Sequence, residues 1–423
     1  MSAEKTARRT LRLPGFGRLA SAYLVNELGN WLGEIALAVV VFELTNSPIA
    51  TAGLFVAMQF VPAITAPLLI ARIDALSSRR ALSLLYAGEA AAFCALAVLA
   101  DGDAFVLSLV FVIAAIDGTL ATSARARSRA AAGAILEPAG LLREGNGLLN
   151  LGFTAGAAAG PALAGVLVAT AGAQVALLAD AASFVAVSLL LATSSALSGA
   201  DHQEDSGGVP WRMRLRAGFT YVRERPLLGR LIAAEAVAFV FFALVLPIEV
   251  VFAKETLDAG DLGYGLLLAS WGAGMVLGSL IFSGLRSASL ASLLVGGTVA
   301  IGAAYLGTAV APTLAVACLA SAVGGAGNGV QWVAVVTAIQ ELTAQAYQAR
   351  VIGLLESLAS GLSGVGFLLG GAIAALVSPR ASFAVAGFGV LAVLVVAVAA
   401  LRGVSWQERA EAPTVIPAPI ETV

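Results

Sequence analysis

The sequence predicts an all-α membrane protein whose twelve transmembrane helices form two pseudo-symmetric six-helix bundles. Three observations predict this fold: the scarcity of charge, the number of long apolar segments and the position of the longest polar break. Of the 423 residues, 59% are hydrophobic and only 12% are charged, and the mean hydropathy is +0.93. Soluble domains carry about 25% charged residues, so this chain could not cover its own surface in water.

Twelve apolar segments are each close to the length of about 20 residues that a helix needs to cross a bilayer. The first contains Arg18 and has no signal-peptide cleavage pattern, so we expect it to be retained as a transmembrane helix. The predicted spans are 16–44, 50–72, 81–100, 104–124, 147–170, 174–195, 227–254, 261–285, 288–308, 313–340, 351–377 and 380–402.

The basic residues predict the side of the membrane on which each loop lies, because cytoplasmic loops are enriched in Lys and Arg. If the N-terminus is inside, every Lys and Arg except Lys254 and Arg380 falls in a segment on the inner side. An incorrect number of helices would destroy this alternation. We therefore expect both chain ends to be cytoplasmic.

The longest polar break, 196–226, divides the chain into six spans and six spans. In it, Trp211, Leu215, Phe219 and Val222 share one helical face among arginines. This pattern predicts an amphipathic helix on the inner membrane surface or, alternatively, a soluble helix packed on the inner loops. The predicted organisation is a cytoplasmic N-terminal segment at 1–15, a first bundle at 16–195, a cytoplasmic linker at 196–226, a second bundle at 227–402 and a disordered tail at 403–423.

Short glycine patterns recur at equivalent places in the two halves. Gly53 and Gly265 begin similar apolar strings in the second span of each half, and a Gly-x-x-x-Gly pair occurs in spans 5 and 11. Parallel repeats of this kind place a transport site near the middle of the membrane, between the halves.

Span 5 is rich in glycine and contains a proline, residues that are costly inside an ordinary helix. Within a membrane, small residues four positions apart allow close helix packing, and a proline is tolerated where neighbouring helices satisfy the freed carbonyl. We expect Gly152, Gly156, Gly160 and Pro161 to form either a tightly packed hinge or a static packing seam.

The same span carries a resemblance to the major facilitator superfamily, whose antiporter motif is Gly-x8-Gly-x3-Gly-Pro-x2-Gly-Gly. Ala164 replaces the penultimate glycine. The matching positions are Gly147, Gly156, Gly160, Pro161 and Gly165. The superfamily's cytoplasmic gate motif between spans 2 and 3 is partly present as "IARIDALSSRR". It retains Asp74, Arg79 and Arg80, with Ile70 and Ala75 at two of its other positions.

Several strings, among them "EGNGLLNL", "DAASFVAVSLLLA" and "QARVIGLLESLASGLSGVGFLLGG", are similar to bacterial exporters of siderophores and macrolides. The resemblance extends over residues 16–402. It implies a bacterial plasma-membrane protein that carries out efflux from the cytoplasm, driven by the proton gradient.

Acidic residues inside the spans are candidates for proton coupling, since a charge at the bilayer centre costs at least about 2.5–3.5 kcal/mol. The candidates are Glu34, Glu27, Asp117 and Glu235. For each, the alternative is a carboxylate hydrogen-bonded for packing. Asp117 is placed to reach Asn146 or Asn150 across the bundle. We expect Glu89 and Asp180 to be packing residues, and Glu341 and Glu356 to form a cytoplasmic charge lock around Arg350.

Amide and aromatic residues in the spans are candidates for substrate contact. Asn26, Asn30 and Glu34 share one stripe of span 1, which we expect to line the central cavity. The full set of candidates is Asn26, Asn30, Trp31, Gln59, Asn150, Trp271, Asn328, Gln331 and Trp332. A cavity of aromatic and amide groups with one or two acids suits a neutral or cationic, largely hydrophobic compound.

The sequence therefore favours a proton-coupled exporter of a small amphipathic molecule, such as a drug, macrolide or siderophore. An importer or facilitator of a nutrient and a non-transporting membrane protein are the alternatives. The chain contains no phosphate-binding loop or nucleophile–base set, and its single histidine, His202, lies in the polar linker. We expect no enzymatic activity, cofactor, metal or nucleic-acid partner. The expected partners are membrane lipid, a small-molecule substrate and protons, and the expected state is a monomer.

Overall fold

The computed structural model describes residues 8–73, 76–194, 197, 219–285 and 288–401, and every regular element within those ranges is helical. Twelve helices in this part of the chain are long and apolar enough to cross a membrane, which confirms the predicted fold class. They are α1 Phe16–Thr45, α2 Pro48–Ile73, α3 Ser78–Leu99, α4 Leu107–Leu136, α5 Leu142–Ala171, α6 Ala173–Ala192, α7 Pro226–Thr256, α8 Gly260–Gly284, α9 Leu290–Val310, α10 Leu314–Leu342, α11 Gln345–Leu376 and α12 Pro379–Leu401.

Local sequence signals determine where the helices begin and end. α1 ends at Asn46, which adopts a left-handed conformation (φ 47°) and donates its amide to the Phe42 carbonyl at 2.7 Å. Two residues later α2 begins, with Pro48 in its first turn and the Ser47 hydroxyl accepting the Ala50 amide at 3.2 Å. A tight connection of this kind forces α1 and α2 to run antiparallel.

Two helices are locally irregular. α2 contains a π-helical turn at Val56–Phe60, and α7 contains a 3₁₀ turn at Leu246–Ile248 and a π-helical turn at Phe252–Thr256. Pro247 lies in the 3₁₀ turn, where it removes a backbone donor. Such turns often occur at functional segments of helices.

The helices pack as two bundles with the same internal pattern. In the first bundle α1 packs against α5 and α6, α3 packs against α4 and α6, and α2 packs against α4. The same pairs recur six helices later, as α7 with α11 and α12, α9 with α10 and α12, and α8 with α10. The two-bundle pseudo-symmetry is thus confirmed, and the bundles join through α5–α8 and α2–α11, which are equivalent pairs under this symmetry.

The bundles meet most closely away from the face at which α1 begins, which we call the arginine-rich face. α11 packs extensively against the first part of α2, Pro48–Phe55, and only sparsely against its last part, Val61–Ile73. The rings of Phe55 and Phe367 lie 5.7 Å apart in this contact. The bundles are therefore closed at the face opposite the arginine-rich one.

The two basic residues predicted to lie on that opposite face, Lys254 and Arg380, both donate hydrogen bonds to other residues of the protein. Lys254 of α7 donates to Glu43 of α1 and, at 2.6 Å, to Asp261 of α8. Arg380 donates to the Ala309 carbonyl at 2.8 Å. Lys254 thus ties the second bundle to the first at the closed face.

The described end of the predicted linker helix is helical over 219–223 and packs on the second bundle. Tyr221 stacks on Tyr347 with 4.4 Å between ring centroids, and its hydroxyl accepts the Ala344 amide at 2.9 Å. Val222 is buried, whereas Phe219 is 58% exposed. Outside the described residues lie 1–7, the linker residues 196 and 198–218, which include Trp211 and Leu215, and the predicted tail 403–423.

Candidate functional site

A cavity of about 650 Å³ lies within the second bundle, between α7, α9, α10 and α12. Its polar lining residues are Glu235, Thr298, Asn328 and Gln331, and the remaining lining is hydrophobic, including Trp332. Phe153 of α5 is the contribution of the first bundle. This volume falls within the range of small-molecule sites, about 300–1,000 Å³. Four of the candidate site residues therefore line one cavity: Glu235, Asn328, Gln331 and Trp332.

Glu235 and Gln331 form the polar centre of this cavity. Gln331 Nε2 donates to Glu235 Oε2 at 2.7 Å, which joins α10 to α7. Gly297 of α9 allows this arrangement, because a Cβ at that position would lie 2.8 Å from the Cβ of Gln331. Both side chains are buried. The hydrogen bond holds the carboxylate in place among apolar neighbours.

Aromatic side chains form one wall of the cavity and continue behind it. Phe239 and Trp332 meet edge to face, with centroids 6.2 Å apart. Behind this wall, Trp271 contacts Phe242 and stacks on Tyr305 at 5.4 Å and 10° between the ring planes. Trp271 is not part of the cavity lining. The structure therefore places Trp332 at the cavity and Trp271 in the aromatic core.

Glu27, one of the predicted coupling acids, lies inside the first bundle next to an arginine. Its carboxylate is 3.4 Å from Nε of Arg125 of α4, and only 3% of its side chain is exposed, against 42% for Arg125. Gly156 of α5 packs against the same residue, since a Cβ there would lie 3.1 Å from the Cβ of Glu27. The sequence analysis placed Arg125 only among the cytoplasmic basic residues and did not pair it with Glu27. Their separation along the chain left no local signal for the pair.

Asp117 lies with two other acids in the interior of the first bundle. Glu89 of α3, Asp117 of α4 and Asp180 of α6 are all buried, and Glu89 interacts electrostatically with both of the others. Neither carboxylate oxygen of Glu89 has a hydrogen-bond partner, whereas Asp180 accepts a bond from Ser183 at 3.3 Å. No group of three His, Cys, Asp or Glu in the described ranges is arranged to hold a metal ion. This acidic cluster lies in the interior of the first bundle, whereas the cavity lies in the second.

Glu34 lies where the two bundles meet. Its carboxylate interacts electrostatically with that of Glu249 of α7. Both carboxylates also interact electrostatically with the side chain of Tyr264 of α8. Glu249 was missed at the sequence level, although an acid inside span 7 is itself a usable signal. Of the predicted stripe, Asn26 is fully buried and its side-chain atoms have no hydrogen-bond partner, while Asn30 is partly exposed. None of Asn26, Asn30 and Glu34 lines the cavity of the second bundle.

The glycines of the span 5 motif lie at two helix contacts. A Cβ at Gly160 would lie 2.9 Å from Cγ of Trp31 on α1. Farther along, a Cβ at Gly165 would lie 2.9 Å from Cα of Gly265, and one at Gly265 would lie 2.6 Å from the Pro161 carbonyl oxygen. A Cβ at Gly147 would meet no atom within 4 Å. The motif therefore joins α1 to α5 and the first bundle to the second.

The remaining predicted residues lie away from the cavity. Gln59 is exposed in the π-helical turn of α2, and Asn150 is exposed on α5. Of the gate motif, Arg79 and Arg80 are in the first turn of α3, and Asp74 lies outside the described residues. Glu341 and Glu356 are exposed, and the side chain of Arg350 is not described, so their predicted lock is not tested.

The fold and the cavity together define a transporter of the major facilitator type, a class of proteins that are generally not enzymes. A family model for transmembrane secretion effectors matches residues 6–420, and the chain belongs to this family. No curated protein matches it in sequence.

Several solved structures of transporters have a similar fold, at low sequence identity. The nucleoside transporter NupG is 12% identical with a TM-score of 0.74, over 92% of this chain and 99% of its own. A bacterial homologue of the iron transporter ferroportin in an inward-facing state is 16% identical with a TM-score of 0.71, over 91% of this chain and 98% of its own. A bacterial homologue of the human lysosomal transporter Spinster, also inward-facing, is 14% identical with a TM-score of 0.65, over 93% of this chain and 95% of its own.

Proposed function

We propose that the protein is a proton-coupled exporter of a small amphipathic compound, working as a monomer by alternating access between the two bundles. The observation that carries the proposal is the Glu235–Gln331 pair at the centre of an otherwise apolar cavity of about 650 Å³. The arginine-rich face is cytoplasmic in this proposal, as are both chain ends. The structure, closed at the opposite face, is then an inward-facing state.

The chemistry of the cavity suits a molecule with an apolar body and one cationic or hydrogen-bond-donating head group. Burying a polar group costs free energy unless it finds a partner, and the cavity offers few partners beyond Glu235, Gln331 and Asn328. The faces of Phe239 and Trp332 add an attraction for a cation. Drugs and macrolides of an amphipathic kind fit this description, whereas a highly polar nutrient does not.

Export is favoured over import by the family itself, whose description is secretion. The nucleoside transporter among the structural neighbours keeps import as the second candidate, since the same fold carries it. The direction of the coupled proton distinguishes the two: an exporter exchanges substrate for a proton, and an importer moves both the same way.

Proton coupling is assigned here to Glu34 and Asp117. Glu34 lies at the contact between the bundles, next to Glu249 and Tyr264, so its charge state bears on how closely the bundles approach. Asp117 lies buried beside Glu89 and Asp180, where a second negative charge is costly. An acid whose charge is tolerated in one conformation and costly in the other binds and releases a proton during the transport cycle.

The test uses purified protein in vesicles with an acidic interior, in which uptake and internal pH are followed together. Three probes are compared: ethidium, an amphipathic cation; erythromycin, an amphipathic base; and uridine, a polar nucleoside. We expect uptake of ethidium and erythromycin with loss of internal protons, and no uptake of uridine. Uridine moving in the same direction as protons would establish the importer instead, and no movement of any probe would refute transport of this kind.

The coupling residues are tested in the same vesicles with Glu34→Gln and Asp117→Asn. Each variant should lower substrate-dependent proton release at least tenfold while downhill ethidium movement continues. Glu255→Gln, an exposed acid near the end of α7, is the matched control and should behave as wild type. If both coupling variants exchange protons as wild type does, the assignment is wrong.

A further inference from the structure

We propose that the substrate enters the cavity from the membrane, through the space between α9 and α12, and is therefore a lipid-soluble amphiphile that partitions into the leaflet beside the arginine-rich face. The inference rests on the proposed function, because it assigns the cavity to the transported compound. It adds to that function the route by which the compound enters the cavity.

The first support is that two side chains of the cavity lining, one on each of these helices, are substantially exposed. Val295 of α9 and Val398 of α12 both line the cavity, and each is 38% exposed. At Gly296, next to Val295, an added Cβ would meet no atom within 4 Å. The cavity therefore reaches the outer surface of the second bundle between these two helices.

The second support is the way in which α9 and α12 pack. They touch closely beyond the cavity, where a Cβ at Gly302 would lie 2.6 Å from Cγ of Leu391 and one at Gly387 would lie 2.9 Å from the Gly302 carbonyl oxygen. In the half nearer the arginine-rich face, their facing residues line the cavity instead. There, Arg230 of α7 donates to the Ala400 carbonyl at 2.7 Å and holds the end of α12 against α7. The opening is thus on the α9 side of α12.

The third support is the depth of the cavity. Its lining on α9 runs from Ala291 to Ile301, which corresponds to about 15 Å at 1.5 Å per residue. The apolar core of a bilayer is about 30 Å thick, so the cavity extends through one leaflet. Glu235 lies nine residues after Pro226, or about 13.5 Å from the end of α7 at the arginine-rich face, and therefore toward the deep end of that path. An amphiphile in that leaflet can therefore pass between α9 and α12 and bring its cationic or hydrogen-bond-donating group to Glu235 as it moves into the cavity.

The route is tested by quenching of tryptophan fluorescence with lipids brominated on their acyl chains. Two proteins each retain one of the five tryptophans, Trp332 at the cavity or Trp271 in the aromatic core, with the others changed to Phe. We expect brominated lipid to quench Trp332 at least threefold more than Trp271. Equal quenching of the two would overturn the proposal.

A double variant that narrows the opening is compared with a matched control double variant that does not. Val295→Phe with Val398→Phe should reduce the quenching of Trp332 by half or more. Val299→Phe with Val396→Phe, at exposed positions outside the cavity lining, should leave it unchanged. If the single-tryptophan proteins do not fold, the same two double variants are compared on the total fluorescence of the otherwise native chain. No difference between the two double variants would refute the route.

The outcomes separate this proposal from the proposed function. If Trp332 is quenched as expected but neither ethidium nor erythromycin is transported, the cavity is open to lipid and the transport proposal fails. If both probes are transported and the narrowing variants change neither quenching nor ethidium uptake, transport stands and entry from the leaflet fails.

Discussion

Gln331 of α10 donates its side-chain amide to Glu235 of α7 over 2.7 Å, although the two residues are 96 positions apart in the chain. The bond joins two helices at the wall of the cavity in the second bundle. Because a buried carboxylate without a partner is strongly destabilising, the amide makes an acid tolerable in a largely apolar space. It leaves Glu235 in the lining, where a substrate can reach it.

Glu235→Gln should weaken the binding of a cationic substrate while preserving the shape of the cavity. A hydrogen bond to a charged group contributes about 1.5–3 kcal/mol, which corresponds to about a 10–150-fold change in affinity. We expect at least a tenfold rise in the ethidium concentration for half-maximal transport. Glu356→Gln, an exposed acid on α11, is the control. An unchanged concentration dependence in Glu235→Gln would show that ethidium does not contact this carboxylate.

The Glu27–Arg125 pair should respond unequally to loss of either partner. Arg125→Met leaves a carboxylate that is almost fully buried without its countercharge, whereas Glu27→Gln leaves an arginine that is 42% exposed and can be hydrated. Breaking a buried pair costs about 3–5 kcal/mol, so we expect a clear loss of stability in Arg125→Met and a smaller one in Glu27→Gln. The apparent Tm in detergent measures both. The double variant should recover most of the loss, and equal effects of the two single changes would contradict this account.

Gly265→Ala should prevent the bundles from closing at the face opposite the arginine-rich one. The added methyl group would lie 2.6 Å from the Pro161 carbonyl oxygen, a backbone atom that cannot easily move aside. We expect at least a tenfold loss of transport and faster reaction of a cysteine placed at Thr45 with a water-soluble maleimide. Gly147→Ala introduces the same methyl group into open space and should retain transport, with stability unchanged or raised by up to about 1 kcal/mol. Normal closure in Gly265→Ala would mean that this contact does not limit the cycle.

Lys254→Met should loosen the same closed face by a smaller amount. Lys254 bridges Glu43 of the first bundle and Asp261 of the second, but the side chain of Glu43 is half exposed. Exposed ion pairs contribute about 0–1 kcal/mol and are weakened by salt. We expect the maleimide reaction rate at the closed face, followed on a cysteine at Thr45, to rise no more than about fivefold, and the difference from wild type to shrink at high ionic strength. A salt-independent change would point to a packing effect of the substitution.

The membrane class, the number of helices and their order were predictable because each depends on local sequence. A segment of about 20 apolar residues has to satisfy its own backbone hydrogen bonds in lipid, so it is a helix wherever it falls in the fold. The apolar pattern predicted that span 2 begins at residue 50, two residues after its observed start at Pro48, where Ser47 caps the helix. The glycines of span 5 also predicted close helix packing from local sequence, because a residue without a side chain lets a neighbouring helix approach its backbone.

The partners of the buried polar groups could not be predicted. Gln331 and Glu235 were both candidates, but their pairing depends on how α7 and α10 pack, as does the role of Gly297 in admitting the amide. Trp271 and Trp332 were equivalent candidates in the sequence, and only the rotation of α8 and α10 about their axes places one in the core and the other at the cavity.

The sequence by itself determined that this chain crosses the membrane twelve times in two similar halves, since hydropathy and charge act through the solvent that each segment meets. The tertiary structure alone decided that the first half buries three acids together, Glu89, Asp117 and Asp180, and that the second half keeps a cavity around Glu235 and Gln331. The physical reason is that a cavity depends on side chains from four helices failing to fill a shared space. Whether that space is filled depends on how the helices pack together, which the sequence of any one helix does not determine.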